Sequence, residues 1–263
     1  MSWMSRAGRP AAAILILTTT VVLTGCNKTT SQTTGASDLA TASTAPVSPE
    51  ALADLGVKWQ TDPKNVNKGL AYANGLEAVG NTEQELSVYQ QLTVMNPKNG
   101  KLAGLYGRKL VSAGQSETAI PVLEGAEKAG DSDWRIASAL GSAYDQQGLY
   151  QKAREQYQKA LAADPQNLTV MNNLAMSYAL EGNLKQAETE LRSADALPRA
   201  KSVPRIRQNL ALVVGLQGRF DEATKLAQQD LPPEQVEENM AYLKKMLSQS
   251  NTWQQISDGK SQG

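Results

Sequence analysis

Side chains that carry chemistry are scarce in this chain of 263 residues, and their scarcity is the first constraint on what it does. It has no histidine and one cysteine, Cys26. No imidazole is therefore present to move a proton or ligate a metal, and a lone cysteine excludes an internal disulfide. No nucleophile stands beside a base at motif spacing, and no glycine-rich phosphate loop is visible. GLYG at Gly104 to Gly107 reads as a helix-packing feature. The expectation is a chain that is not an enzyme, holds no cofactor or metal, and takes no small-molecule substrate. Its formal net charge is zero, and that balance gives no footprint for nucleic acid. Chemistry is left to Cys26 and to polar side chains that a repeating fold could gather on one surface.

Cys26 follows a recognisable leader. Arg6 and Arg9 form a positive n-region, and Ala11 to Leu23 is an apolar stretch too short to span a bilayer comfortably. Residues 1–25 therefore read as an export segment that is removed, which takes away two basic residues and no acid. Leu23-Thr24-Gly25-Cys26 resembles the bacterial lipobox, which implies lipidation of Cys26 (a diacylglyceryl group plus an N-acyl chain such as palmitate) and a lipid anchor in the membrane. Two or more acyl chains anchor stably where one does not. Asn27 in place of Asp after the cysteine implies, by lipoprotein sorting rules, the periplasmic face of the outer membrane. Residues 26–47, rich in Thr, Ser, Ala and Gly, lack the apolar density to bury anything and read as a flexible tether.

The elements that must position the remaining side chains are helical hairpins. In Trp134 to Asn167, Ala137, Leu140, Gly141 and Tyr144 lie on one helical stripe, and Ala153, Tyr157, Ala160 and Leu161 lie on a second. Gly148 ends the first helix and Asp164-Pro165 the second. Two helices joined by so short a turn pack antiparallel. Gly80, Gly114, Gly148 and Gly182 recur every 34 residues, as do Ala119, Ala153 and Ala187, and Ala126, Ala160 and Ala194. Small residues at Gly141 and Ala153 are placed where the two helices cross, and Ala160 where the second meets the next hairpin. The period and these positions resemble the tetratricopeptide repeat (TPR) family, which implies an all-α, right-handed superhelical solenoid of antiparallel helix pairs with capping helices.

Taken in order, residues 48–65 read as an N-terminal capping half-repeat, with Ser48 at N-cap, Pro49 at N1, and Leu52, Leu55 and Trp59 on one face. Five units span 66–230. In the first, Glu85 stands where the strong repeat has Ala153, which predicts a looser or shifted crossing. In the second, Pro121 predicts a kink or a late helix start. The fifth is offset by two residues inserted around Arg199 to Pro204, which predicts an exposed loop, and Ala227 and Asp230 leave its closing face worn. Residues 231–249 read as a C-terminal capping helix with Val236, Met240, Leu243 and Leu247 on one stripe, and 250–263 as a polar tail in which Trp253 could pack back.

In TPR arrays the first helices line a concave groove. The family's inward positions, carried onto this sequence, imply a partner-binding groove with Asn74, Lys101, Arg108, Arg135, Ser142, Asp145, Asn172, Met176, Arg205 and Gln208, and with Asn67, Glu77, Val111 and Thr169 among the further inward positions. Its Arg and Asn donors suit peptide backbone or carboxylates. It does not reproduce the Lys/Asn pattern of the chaperone-tail clamp. The lipobox, the tether, DPKN at Asp62 to Asn65, the repeats and the closing LPPEQVEENMAYLKKMLSQSNTW together resemble the TadD-like family of TPR lipoproteins of tight-adherence (Flp) pilus assembly. That resemblance implies a scaffold or pilotin whose partner is the pilus secretin or another assembly component. The alternative reading is a TPR lipoprotein adaptor for cell-wall enzymes or outer-membrane protein assembly.

Overall fold

The structure, a computed structural model, describes residues 47–248. Cys26, the export segment, the tether up to residue 46, Trp253 and the polar tail lie outside the described residues. The described residues form twelve α-helices and one 3-10 helix, with no strand among them. Helix α1 is Pro49–Gln60; the paired helices are α2 Val66–Ala78 with α3 Thr82–Met95, α4 Gly100–Ser112 with α5 Ser116–Lys128, and α6 Trp134–Gln146 with α7 Tyr150–Ala163. There follow α8 Leu168–Leu180 with α9 Leu184–Asp195, the 3-10 helix Pro198–Ser202, α10 Pro204–Leu216 with α11 Phe220–Ala227, and α12 Pro233–Ser248.

Local chemistry sets each boundary. Asn65, Asn99, Asp133 and Asn167, 34 residues apart, each accept a backbone N–H in the first turn of α2, α4, α6 and α8. Each first helix ends at a glycine of positive φ, as at Gly148 (71°), and the next N–H bonds back five residues, as Leu149 to Tyr144. That left-handed turn closes the helix and starts the return helix at a fixed angle.

Hairpins stack in sequence: every helix packs on the next, and first helices also touch one another, α4 on α6, α6 on α8 and α8 on α10. No such contact joins α3 to α5 or α5 to α7, so the array curves with its first helices on the inner side. The core is correspondingly serial. One cluster runs from Trp59 to Ala143, a middle one joins Tyr157 and Ala160 to Val170 and Leu174, and a third runs from Leu168 to Leu243.

The crossing inside the α4/α5 and α6/α7 hairpins differs from the expected small-on-small contact, whereas Gly215 of α10 does lie against Ala223 of α11. A Cβ on Gly141 would lie 2.5 Å from the Tyr157 ring, and one on Gly107 would lie 2.5 Å from Leu123, so glycine seats the large residue of the return helix. Ala153 and Ala160 are fully buried beside it.

Three irregular places resolve physically. Helix α5 runs from Ser116 without a late start, with Pro121 inside it on the exposed side. The insertion between repeats four and five is not merely a loop, because the 3-10 turn buries Ala200 completely while Arg199, Lys201 and Ser202 stay exposed. At the end of the array, Asp230 is paired with Arg207 at 2.6 Å, and Leu243 of α12 packs against Gly215. What reads as a worn face is a buried ion pair covered by a cap.

Candidate functional site

The inner face is built by the first helices α2, α4, α6, α8 and α10, and their second residues, Asn67, Lys101, Arg135, Thr169 and Arg205, are all exposed. From α4 to α10 the ladder follows from the fold, because equal repeats place equal positions side by side on touching helices, and Asn67 extends the same position onto α2. Arg135 lies over the Trp134 ring at 4.8 Å and pairs with Asp133 at 3.1 Å. Burial pushes the Asp133 carboxyl up, but bonds from the Arg135 backbone and side chain and the charge of Arg108 bring it below its usual value. Lys101 and Arg205 have no ion pair among the described residues, and neither does the half-buried Arg108.

Not every residue of the implied groove is open. Tyr157 donates to Asp145 at 2.9 Å and lies 3.2 Å from the Ser142 hydroxyl, and Ser177 donates to Asp145 at 2.6 Å. Asp145 thus ties α6 to α7 and α8. Burial raises its carboxyl to about 6 against the bonds from Ser177 and Tyr157 and the charge of Arg154, which lower it. Burial and the Asp145 charge push the Tyr157 phenol up. Asn172 is buried and accepts from Asn209 at 2.7 Å, joining α8 to α10. Ser142, Asp145 and Asn172 are therefore bonded between helices, Met176 and Gln208 are half-buried, and Asn74 is exposed beside the ladder.

A cleft of about 380 Å³ lies where α2, α3 and α4 meet, lined by Glu77, Glu85, Leu105, Arg108, Lys109 and Ser112. Glu85, 4 % exposed, is not an obstacle to packing there, because Lys109 reaches it at 2.8 Å and Glu77 at 2.6 Å. Lys109 is not among the groove positions that the resemblance implies. Its signal was the acid at an alanine position, since a buried carboxylate needs a cation. Tyr157 and Ser177 were missed because only the third dimension brings their hydroxyls to Asp145. A larger open cleft, about 740 Å³, separates the loops 96–101 and 129–132, where Asp131 replaces the proline of the neighbouring turns. Among the described residues no group of His, Cys, Asp or Glu is arranged to hold a metal ion, and no helix is long and apolar enough to cross a membrane.

The family model described as tetratricopeptide repeat matches residues 105–168 and 138–201. The mouse BBSome complex member BBS4 is 29% identical over 108 residues, 41% of this chain and 21% of that protein, so the chain spans about a fifth of that relative's length. In structure, PilW, a type IV pilus biogenesis factor, matches with a TM-score of 0.59 at 18% identity, covering 68% of this chain and 83% of PilW. YrrB, a TPR protein with an unusual peptide-binding site, matches with a TM-score of 0.53 at 15% identity, covering 74% of this chain and 100% of YrrB. Identities this low speak to the fold alone. Repeat phase, helix pairing and these matches agree that the described chain is a solenoid of tetratricopeptide repeats.

Proposed function

We propose that this protein is a non-enzymatic scaffold in tight-adherence (Flp) pilus assembly, held by lipid on Cys26 at the periplasmic face of the outer membrane, where it assists the pilus secretin. The observation that carries the binding reading is the exposed ladder Asn67, Lys101, Arg135, Thr169 and Arg205 along one inner face. Extended concave faces of solenoids are suited to holding a segment of another protein. The pilus and outer-membrane assignments rest on the closing LPPEQVEENMAYLKKML segment, the lipobox and the tether, and the fold likeness to a pilus biogenesis factor agrees with them. A lipid anchor raises the effective concentration of the inner face near a membrane partner.

The test is deletion of the gene followed by assay of secretin multimers in outer-membrane fractions. Loss of multimers that the wild-type gene restores supports the reading; unchanged multimers with normal pili refute it. Cys26→Ala tests the anchor separately. Release into the soluble periplasmic fraction is expected, and retention in the membrane excludes lipid at Cys26 as the attachment.

A further inference from the structure

The charge of this protein is zero in sum but not in place. The five first helices carry seven basic side chains against two acids, Glu77 and Asp145, whereas the five second helices carry eleven acids against seven bases. Neither first-helix acid is free: Lys109 holds Glu77 at 2.6 Å, and Asp145 is bonded by Tyr157 and Ser177. None of the five first helices has an acidic residue in its first turn, although acids are favoured there. On the basic side, Lys109 and Arg207 are absorbed by Glu85 and Asp230, and Lys68 by Asp62. Four cations remain on the inner side. Lys101, Arg108 and Arg205 have no ion pair among the described residues, and Arg135 meets only Asp133, a pair of exposed groups that a ligand carboxylate can exchange at little cost.

From this segregation we infer that the inner face takes an acidic, extended peptide segment, read by Lys101, Arg135 and Arg205. This rests on the scaffold reading above and adds the ligand's charge. The three residues hold the same place on α4, α6 and α10, with Thr169 at the intervening rung on α8. Packed helices lie roughly 10 Å apart. An extended chain advances ~3.3 Å per residue, so an acid at about every third position of the ligand meets a rung. Arg135 and Arg205 offer forked donors that pair with a carboxylate through two bonds. The acidic second helices behind this face repel the same ligand and so set which side it binds.

The experiment uses the full chain and three fluorescein-labelled 15-residue peptides, poly-Glu, poly-Lys and Gly-Ser, with a 20-nucleotide single strand of DNA as a second polyanion. Anisotropy is read at low and moderate salt. The expected result is poly-Glu binding about tenfold or more tighter than Gly-Ser, weakened by salt. The variant Lys101→Glu/Arg135→Glu/Arg205→Glu loses about tenfold in affinity with unchanged circular dichroism. The matched reversal Lys152→Glu/Lys185→Glu/Lys225→Glu on the second helices leaves binding as it was. Poly-Glu binding no tighter than Gly-Ser, equal loss in both variants, or preference for the oligonucleotide each overturns the inference. The secretin assay is blind to ligand charge, so multimers lost on deletion without poly-Glu binding remove the acidic ligand and leave the scaffold.

Discussion

Replacing Gly141 by alanine tests the packing account of the hairpin. The added Cβ would lie 2.5, 2.7 and 2.8 Å from three atoms of the Tyr157 ring. Ordinary carbon contacts lie at about 3.5–4.0 Å, so the ring must retreat by about 1 Å. It cannot do so freely: Tyr157 is 1% exposed and its hydroxyl is bonded to Asp145 at 2.9 Å. Overpacking costs ~1–3 kcal/mol. A strained or lost bond to a charged group adds about 1.5 kcal/mol, while the better helix propensity of alanine returns up to ~1 kcal/mol. The net expectation is a loss of about 2–3 kcal/mol, read as a lowered urea midpoint followed at 222 nm. Gly125→Ala is the control. It lies inside α5, and a Cβ there meets nothing within 4 Å, so the same substitution stabilises by up to ~1 kcal/mol. If Gly141→Ala matches or exceeds the wild type as Gly125→Ala does, the reasoning about glycine as the seat for Tyr157 is wrong.

Other expectations follow the buried polar groups. The Asp145 carboxyl is raised from an ordinary 3.8 to about 6, so the fold favours its protonated form; that advantage is full below about 4 and is lost as pH rises to about 6. Urea midpoints across this window should show a falling component, on the order of 1–2 kcal/mol after discounting for partial exposure, that Asp145→Asn removes; an unchanged profile in the variant would assign the slope to another group. Asp230→Ala leaves Arg207, with a side chain 12% exposed, one distant carboxylate, Asp195 at 3.6 Å, and the Lys201 carbonyl at 3.4 Å. A loss of about 2 kcal/mol is expected, with faster hydrogen exchange in α10 to α12 and little change in α4 to α7. Uniform acceleration along the array would contradict nearest-neighbour coupling. Leu243→Ala opens a cavity over Gly215 and should cost about 2–4 kcal/mol in the thermal stability of the C-terminal repeats.

The fold was legible because each repeat writes its own instructions within 34 residues. Gly148 can end a helix on backbone freedom alone, and Ser48 caps α1 through a bond to Ala51 three residues away. Partner choice across hairpins was less legible. Asp145 and Ser142 sit at positions that resemblance assigns to a groove, yet Tyr157, twelve residues on, and Ser177, 32 residues on, draw Asp145 into the joint between repeats. Spacing says which face of a helix a side chain occupies; it does not say whether a neighbour's hydroxyl has already met it. Asn172, buried against Asn209, was hidden for the same reason.

The sequence alone determined the repeating unit, its period, the turn glycines that end the first helices and the absence of histidine, because these depend on short-range backbone preferences and residue types. The tertiary structure decided which charges are consumed and which stay open. Glu85 was tolerated at an alanine position because Lys109 reaches it, and Asp230 became a partner for Arg207. A net charge of zero became an inner face with few free acids through the alternation of first and second helices. Burial and Coulomb interactions depend on distance in space, and the chain acquires those distances only when its hairpins stack.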